Sequence, residues 1–282
     1  MILNIIILLI GLILLLYSAD QMINNADLIA KKFSLPPILI GLTIIALGTS
    51  APELVITLIA ATKTVPASDA IVGNVIGSNI ANILLVLGVS AFFFKIDLSK
   101  IRYKDNIYLF IVTAYFSILF CFFDEINFYH SVGFMALIVL FLNQLRSYEE
   151  VRKEEEINEF SNFVYFKLIL TFFGIFVGGK IFLDSSLDIF TSFGLEQTTI
   201  GISVLAIGTS LPELATVVIS YVRKKGSIGI GNVIGSNIMN ILFVLFPGII
   251  IVQSRNLNFF VPENILFHLN ILIISTLIIF SL

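Results

Sequence analysis

The sequence predicts an all-α polytopic membrane protein built from two halves of inverted topology, five helices in the first and four in the second. Three observations carry that expectation. The chain has 282 residues, 58% hydrophobic and only 12% charged, against about 25% charged residues in a soluble domain, and its mean hydropathy is +1.04. It is also internally duplicated. GLTIIALGTSAPEL from Gly41 returns as GISVLAIGTSLPEL from Gly201, 160 positions on, and GNVIGSNIANILLVLG from Gly73 returns as GNVIGSNIMNILFVLF from Gly231, 158 positions on. Two matches in the same order at nearly one offset mark a repeat. Lastly, five apolar spans separate corresponding points of the two copies. Five is odd, so the second copy enters the bilayer upside down, an arrangement that brings two half-sites together at the midplane.

Helices are the elements that satisfy their own backbone in hydrocarbon. Apolar runs place them near 2–19, 37–62, 69–94, 105–123 and 128–146, then near 163–183, 198–222, 228–252 and 262–282. The first run, MILNIIILLIGLILLLYS, lacks a basic leading segment and a small-residue cleavage site, so it reads as a spanning helix rather than a removed signal peptide. Spans two and seven carry the GTSxPEL motif, and spans three and eight carry GNVIGSN. Between the halves lies RSYEEVRKEEEINEFSN, the one strongly charged stretch. It is too short for a domain and reads as a solvated helical connector. The expected organisation is therefore a first repeat at 1–146, a connector at 147–162 and a second repeat at 163–282. The second repeat has four spans where the first has five, so its last span reads as missing, by truncation or by nature.

Basic residues set the orientation, because cytoplasmic loops gather Lys and Arg. One side receives Lys31, Lys32, Lys95, Lys100, Arg102, Lys104, Arg146, Arg152, Lys153, Lys167, Arg223, Lys224 and Lys225, and the other only Lys63, Lys180 and Arg255. That puts the N-terminus outside and the connector in the cytoplasm, with the cell membrane as the expected location. A net charge of −3 without a basic stripe gives no nucleic-acid footprint. Cys121 is the single cysteine, which excludes disulfides within the chain and thiolate clusters.

The repeated stretches carry the chemistry. In each GTSxPEL copy the proline lacks an N–H and clashes one turn back, which disturbs the helix at Ala46–Ser50 and at Ala206–Ser210. Carbonyls freed there, the hydroxyls of Thr49, Ser50, Thr209 and Ser210, and the carboxylates of Glu53 and Glu213 can then face one cavity. Glu53 stands four residues after Thr49 and three after Ser50, on one helical face. In the second motif Asn74, Ser78 and Asn82 form a stripe four residues apart, repeated as Asn232, Ser236 and Asn240, with Asn79 and Asn237 one position round from the serines. The plainer alternative is helix glue, since hydroxyls, amides and small residues are common at membrane helix interfaces. Two buried glutamates in two copies argue against it, because intramembrane carboxylates are costly. Oxygen donors of this kind suit Ca²⁺, and Na⁺ by the same logic, rather than zinc or copper. His130 and His268 occupy non-matching positions near span ends and read as incidental.

These motifs resemble the two alpha repeats of the sodium/calcium exchangers, in the cation/calcium antiporter superfamily, over spans one to nine. The resemblance implies ten helices in two inverted halves, with ions held among spans 2, 3, 7 and 8 while spans 1 and 6 slide across them. Matched position by position, it implies as ligands Glu53 and Glu213, the hydroxyls of Thr49, Ser50, Thr209 and Ser210, the carbonyls of Ala46 and Ala206, and Ser78 and Ser236. Asn82 matches the family's amide position. Asn240 departs, because many relatives carry an aspartate there, and the loss of that charge leaves the ion stoichiometry open.

The expected function is antiport of Ca²⁺ against Na⁺ across the lipid bilayer, by a chain that works as a monomer and needs no cofactor. The alternatives are proton-coupled or K⁺-dependent cation antiport, which the counter-ion requirement separates. A passive channel would show no such requirement. An intramembrane serine hydrolase is the alternative from another class. Its nucleophile needs a base within reach, and no histidine or lysine stands at helical spacing from Ser50 or Ser210.

Overall fold

Proline, glycine and a few left-handed residues decide where the helices begin, bend and end. The computed structural model describes residues 2–96, 101–148, 161–192, 208–263 and 265–281. Helix α1 (Ile2–Lys32) is followed by α2 (Pro37–Thr49), α3 (Ala51–Thr62), α4 (Ser68–Phe93), α5 (Tyr103–Phe122) and α6 (Phe128–Arg146). Then come α7 (Phe163–Ser192), α8 (Leu211–Val222), α9 (Gly226–Ser254) and α10 (Leu266–Ser281). Among the described residues six helices are long and apolar enough to cross a membrane, and a seventh span results if the bent pair α2–α3 counts as one. Helices α8 and α10 are shorter apolar helices. Exposed apolar side chains such as Ile13, Ile169 and Phe173 suit a hydrocarbon surrounding. The chain is a predominantly helical, multi-pass membrane protein.

Three helices end alike. After α1, α8 and α9 the chain places Ser34, Lys224 and Asn256 in the left-handed region, with φ of 51°, 57° and 56°. The next N–H then bonds back to the carbonyl five residues earlier, as in Leu35 to Ala30 and Lys225 to Ser220, which closes each helix with a Schellman motif. Helix α6 starts on a reciprocal cap. The Asn127 side chain accepts from the Tyr129 and His130 N–H groups, and His130 Nδ1 accepts from the Asn127 N–H. His130 is thus a structural cap.

Helix α1 runs 13 residues beyond the span expected at 2–19. Its second half is polar, which hydropathy reads as loop, but distant cations neutralise it. Arg223 makes two bonds to Asp20, and Lys225 reaches Asp27 at 3.3 Å and Asn24 at 3.2 Å. Helix α7 likewise runs on to Ser192 and packs along α1, with Gly178 against the Leu15 backbone. A second departure is a two-stranded antiparallel ribbon that the all-helical expectation did not contain. Strand β1 (Glu125–Ile126) pairs with β2 (Phe259–Phe260), Ile126 opposite Phe259, and ties the two halves together on one rim. Nearby, just past the end of α9, Arg255 donates to the carbonyls of Ala61 and Lys63 at 2.8 Å each, closing the end of α3.

At the centre α2 crosses α9 backbone to backbone. A Cβ added to Gly41 would lie 2.3 Å from the Ile228 carbonyl oxygen, and one on Gly231 only 2.4 Å from that of Ile38. Such closeness is open to small residues alone. Phe116, Phe134, Phe141 and Phe259 fill the apolar core flanking this crossing.

Candidate ion-binding site

Each GTSxPEL stretch breaks its helix at the serine. Ser50 has φ −82° and ψ 5°, Ser210 has φ −91° and ψ 4°, and each begins a new helix with proline in its first turn. The break bends α2 against α3 by 45°. Glu53 and Glu213 therefore sit in the first turns of α3 and α8, where unpaired N–H groups and the helix dipole favour a negative charge. Both are completely buried.

The break does not bare the Ala46 carbonyl in the way the proline suggested. A proline withholds its N–H from the residue four before it, which for Pro52 is Gly48. The Ala46 oxygen accepts the Ser50 N–H at 3.0 Å and lies 3.4 Å from the Thr49 hydroxyl. It would act as a ligand through what acceptor capacity remains. Ala206 lies outside the described residues.

The GNVIGSN stretches supply the facing walls, and each glutamate draws on them. Asn74 donates to the Glu53 backbone oxygen at 3.0 Å, and Ser78, whose hydroxyl donates to the Asn74 carbonyl at 2.7 Å, lies beside the Glu53 carboxylate. Across the crossing, the Thr49 hydroxyl donates to Asn232 Oδ1 at 3.0 Å and lies 3.3 Å from Ser236 Oγ. Thr49, Ser236 and Glu53 all lie near Glu213. The first motif of one half thus meets the second motif of the other. Thr57 and Thr216, fully buried one turn after the glutamates, were not among the expected residues. Hydroxyls at that helical spacing were the available signal.

Much of this polar set is orphaned oxygen. Both oxygens of Glu53 and of Glu213, the hydroxyls of Ser50 and Ser210, and Oδ1 of Asn82 and Asn240 are buried without a hydrogen-bond partner. Such groups cost several kcal/mol each, at an order of magnitude, unless something compensates them. A hard cation is the compensation this chemistry fits. Among the described residues no three His, Cys, Asp or Glu side chains group to hold a metal by themselves, so hydroxyls and amides must complete any coordination. Thr209, Asn74 and Ser78 line a cavity of about 890 Å³, shared with Asp69, Glu263 and His268. His268 therefore lines the same cavity as Thr209, Asn74 and Ser78.

Comparison with known proteins agrees with this geometry. The family described as sodium/calcium exchanger protein matches residues 3–143 and 163–282. A putative antiporter, CaxA of Alkalimonas amylolytica, is 34% identical over 256 residues, which cover 86% of this chain and 79% of that protein. The sodium/calcium exchanger MaX1 of Methanosarcina acetivorans is 32% identical, covering 86% and 81%. A solved structure of the sodium-calcium exchanger NCX_Mj, soaked with Na⁺ and Sr²⁺, superposes with a TM-score of 0.81 at 30% identity, over 100% of this chain and 90% of that one. With both repeated motifs inside the matched segments, the chain belongs to the sodium/calcium exchanger family.

Proposed function

We infer that the protein is an antiporter that moves Ca²⁺ against Na⁺ through one shared site. The observation that carries this reading is the pair of fully buried, unpartnered carboxylates, Glu53 and Glu213, at the junction of the two repeats. Two negative charges are neutralised by one Ca²⁺ or by two Na⁺. Competition for the same oxygens then couples the ions without a separate device. The ligands are Glu53, Glu213, Thr49, Ser50, Thr209, Ser210, Ser78, Ser236, Asn82 and Asn240, with the carbonyls of Ala46 and Ala206. The named relatives and the exchanger structure support this over a serine hydrolase.

The finer architecture is part of the same proposal. Nine spans form an inverted repeat, 1–146 and 163–282, around a cytoplasmic connector at 147–162, with the N-terminus outside in the cell membrane. The matching kinks at Ser50 and Ser210 support the repeat. The polar, cation-paired end of α1 supports the orientation. Helices α1 and α7 are the pair that slides over the core to alternate access. The monomer suffices because one chain carries both half-sites.

The test is uptake of radiolabelled Ca²⁺ into proteoliposomes preloaded with Na⁺, with K⁺ or with a proton gradient. Uptake driven by Na⁺ alone is expected. Glu53→Gln and Glu213→Gln should each abolish it while the purified protein keeps its melting temperature, because each half-site needs its charge where water cannot screen the ion. Near-normal uptake by either variant contradicts the shared site.

A further inference from the structure

Residue 240 does not stand alone. Its amide Nδ2 donates to Asn79 Oδ1 at 3.0 Å across the two halves, and Asn79 Nδ2 donates to the backbone carbonyl of Asn237 at 3.2 Å. All three residues are essentially buried. A carbonyl oxygen only accepts, so it fixes the direction of the whole chain. It holds Asn79 with its nitrogen toward Asn237 and its oxygen toward residue 240. Asn240 must answer with its nitrogen, which leaves its own Oδ1 buried and unpartnered. The symmetry-related bond is not made. Asn237 Nδ2 turns back to Val233 of its own helix at 2.8 Å, and neither amide atom of Asn82, the counterpart of Asn240, has a partner. Only one of the two amides is locked.

We propose that Asn79 is a positioning residue that locks the Asn240 amide so that its oxygen, and never its N–H₂ group, is presented to the transported cation. This rests on the exchanger reading and on residue 240 belonging to the ion set. It makes Asn79 and Asn240 a matched pair. An amide that could turn over would offer the cation a donor half of the time. An aspartate at 240 would instead place an acceptor against Asn79 Oδ1.

The experiment is a double-mutant cycle on the full chain in proteoliposomes, read as KM and maximal rate of Na⁺-driven Ca²⁺ uptake, with Asn79→Ala, Asn240→Ala and the pair. Asn79→Ala should raise the Ca²⁺ KM about ten-fold, a change worth roughly 1.4 kcal/mol, with the maximal rate kept within about two-fold. In the Asn240→Ala background it should add almost nothing, the signature of two residues acting as one. If Asn79→Ala does not fold, Asn79→Ser replaces it, since a serine satisfies itself by bonding back to its own helix, and the same KM shift is expected. Additive effects, or a lower melting temperature and rate at unchanged KM, make Asn79 merely structural and overturn the proposal. Wild-type protein without Na⁺-driven uptake removes the exchanger reading itself. Wild-type uptake with an additive cycle removes only the role of Asn79.

Discussion

At the scale of single residues, charge counting gives the sharpest expectation. On the proposed ligand set, Asn240 offers a neutral oxygen where an aspartate would offer a charge, which leaves two formal negatives, on Glu53 and Glu213. One Ca²⁺ balances them, whereas three Na⁺ would leave a surplus positive charge in a region of low dielectric. Asn240→Asp should therefore change competition by Na⁺ more than it changes the capacity for Ca²⁺. Measuring inhibition of Ca²⁺ uptake by graded Na⁺ in wild type and variant checks this, and superimposable curves would remove the charge argument. The sequence made both glutamates legible because the duplication wrote them twice. The bond from Asn240 to Asn79 was not legible. Asn240 lies on one polar stripe and Asn79 one position round from the other, while the choice of partner depends on how the halves meet.

At the scale of elements, the crossing of α2 and α9 is the least tolerant contact. Gly231 and Gly73 hold the same place in the two repeats, but Gly231 is buried against the Ile38 carbonyl whereas Gly73 is exposed. Gly231→Ala should cost about 1–3 kcal/mol or more, because a backbone atom rather than a flexible side chain must give way. Gly73→Ala should fall within about 1 kcal/mol. Thermal unfolding of the two purified variants distinguishes them, and equal melting temperatures would contradict the crossing. Where α5 begins and α6 ends, a different joint is built from polar groups. Buried Asp105 receives Arg102 through two nitrogens, Gln144 at 2.8 Å and the Tyr148 hydroxyl at 2.5 Å. Burial, and then the hydrogen bond to Asp105, hold the Tyr148 phenol above its ordinary range, so it remains a donor. Tyr148→Phe should cost roughly 1–3 kcal/mol by leaving a charged acceptor short of a partner, read again as a loss of thermal stability. Local sequence signals located α2 to α6 closely, since apolar runs and prolines act over short distances. They failed for the second half of α1 and for the β1–β2 ribbon, where Arg223, Lys225 and Phe259 come from far along the chain.

At the scale of the whole molecule, the inverted reading makes a claim about sidedness. With Cys121 replaced, cysteines introduced as Ser161→Cys and Ser68→Cys should react with an impermeant reagent from opposite faces of the membrane. Labelling of both from outside would contradict the topology. The unequal surroundings of Gly73 and Gly231 have a wider consequence on that reading. One short sequence is held in two packings at once, Gly231 and Gly235 closed against α2 while Gly73 is exposed and Gly77 half-buried. If the halves exchange these packings, the two states are built from nearly the same contacts, and their free energies need differ only through the positions where the repeats diverge. A substitution that favours one packing by about 1.4 kcal/mol shifts the populations ten-fold. Changing Gly73 without Gly231 would then act less on affinity than on the fraction of time the protein spends facing each side.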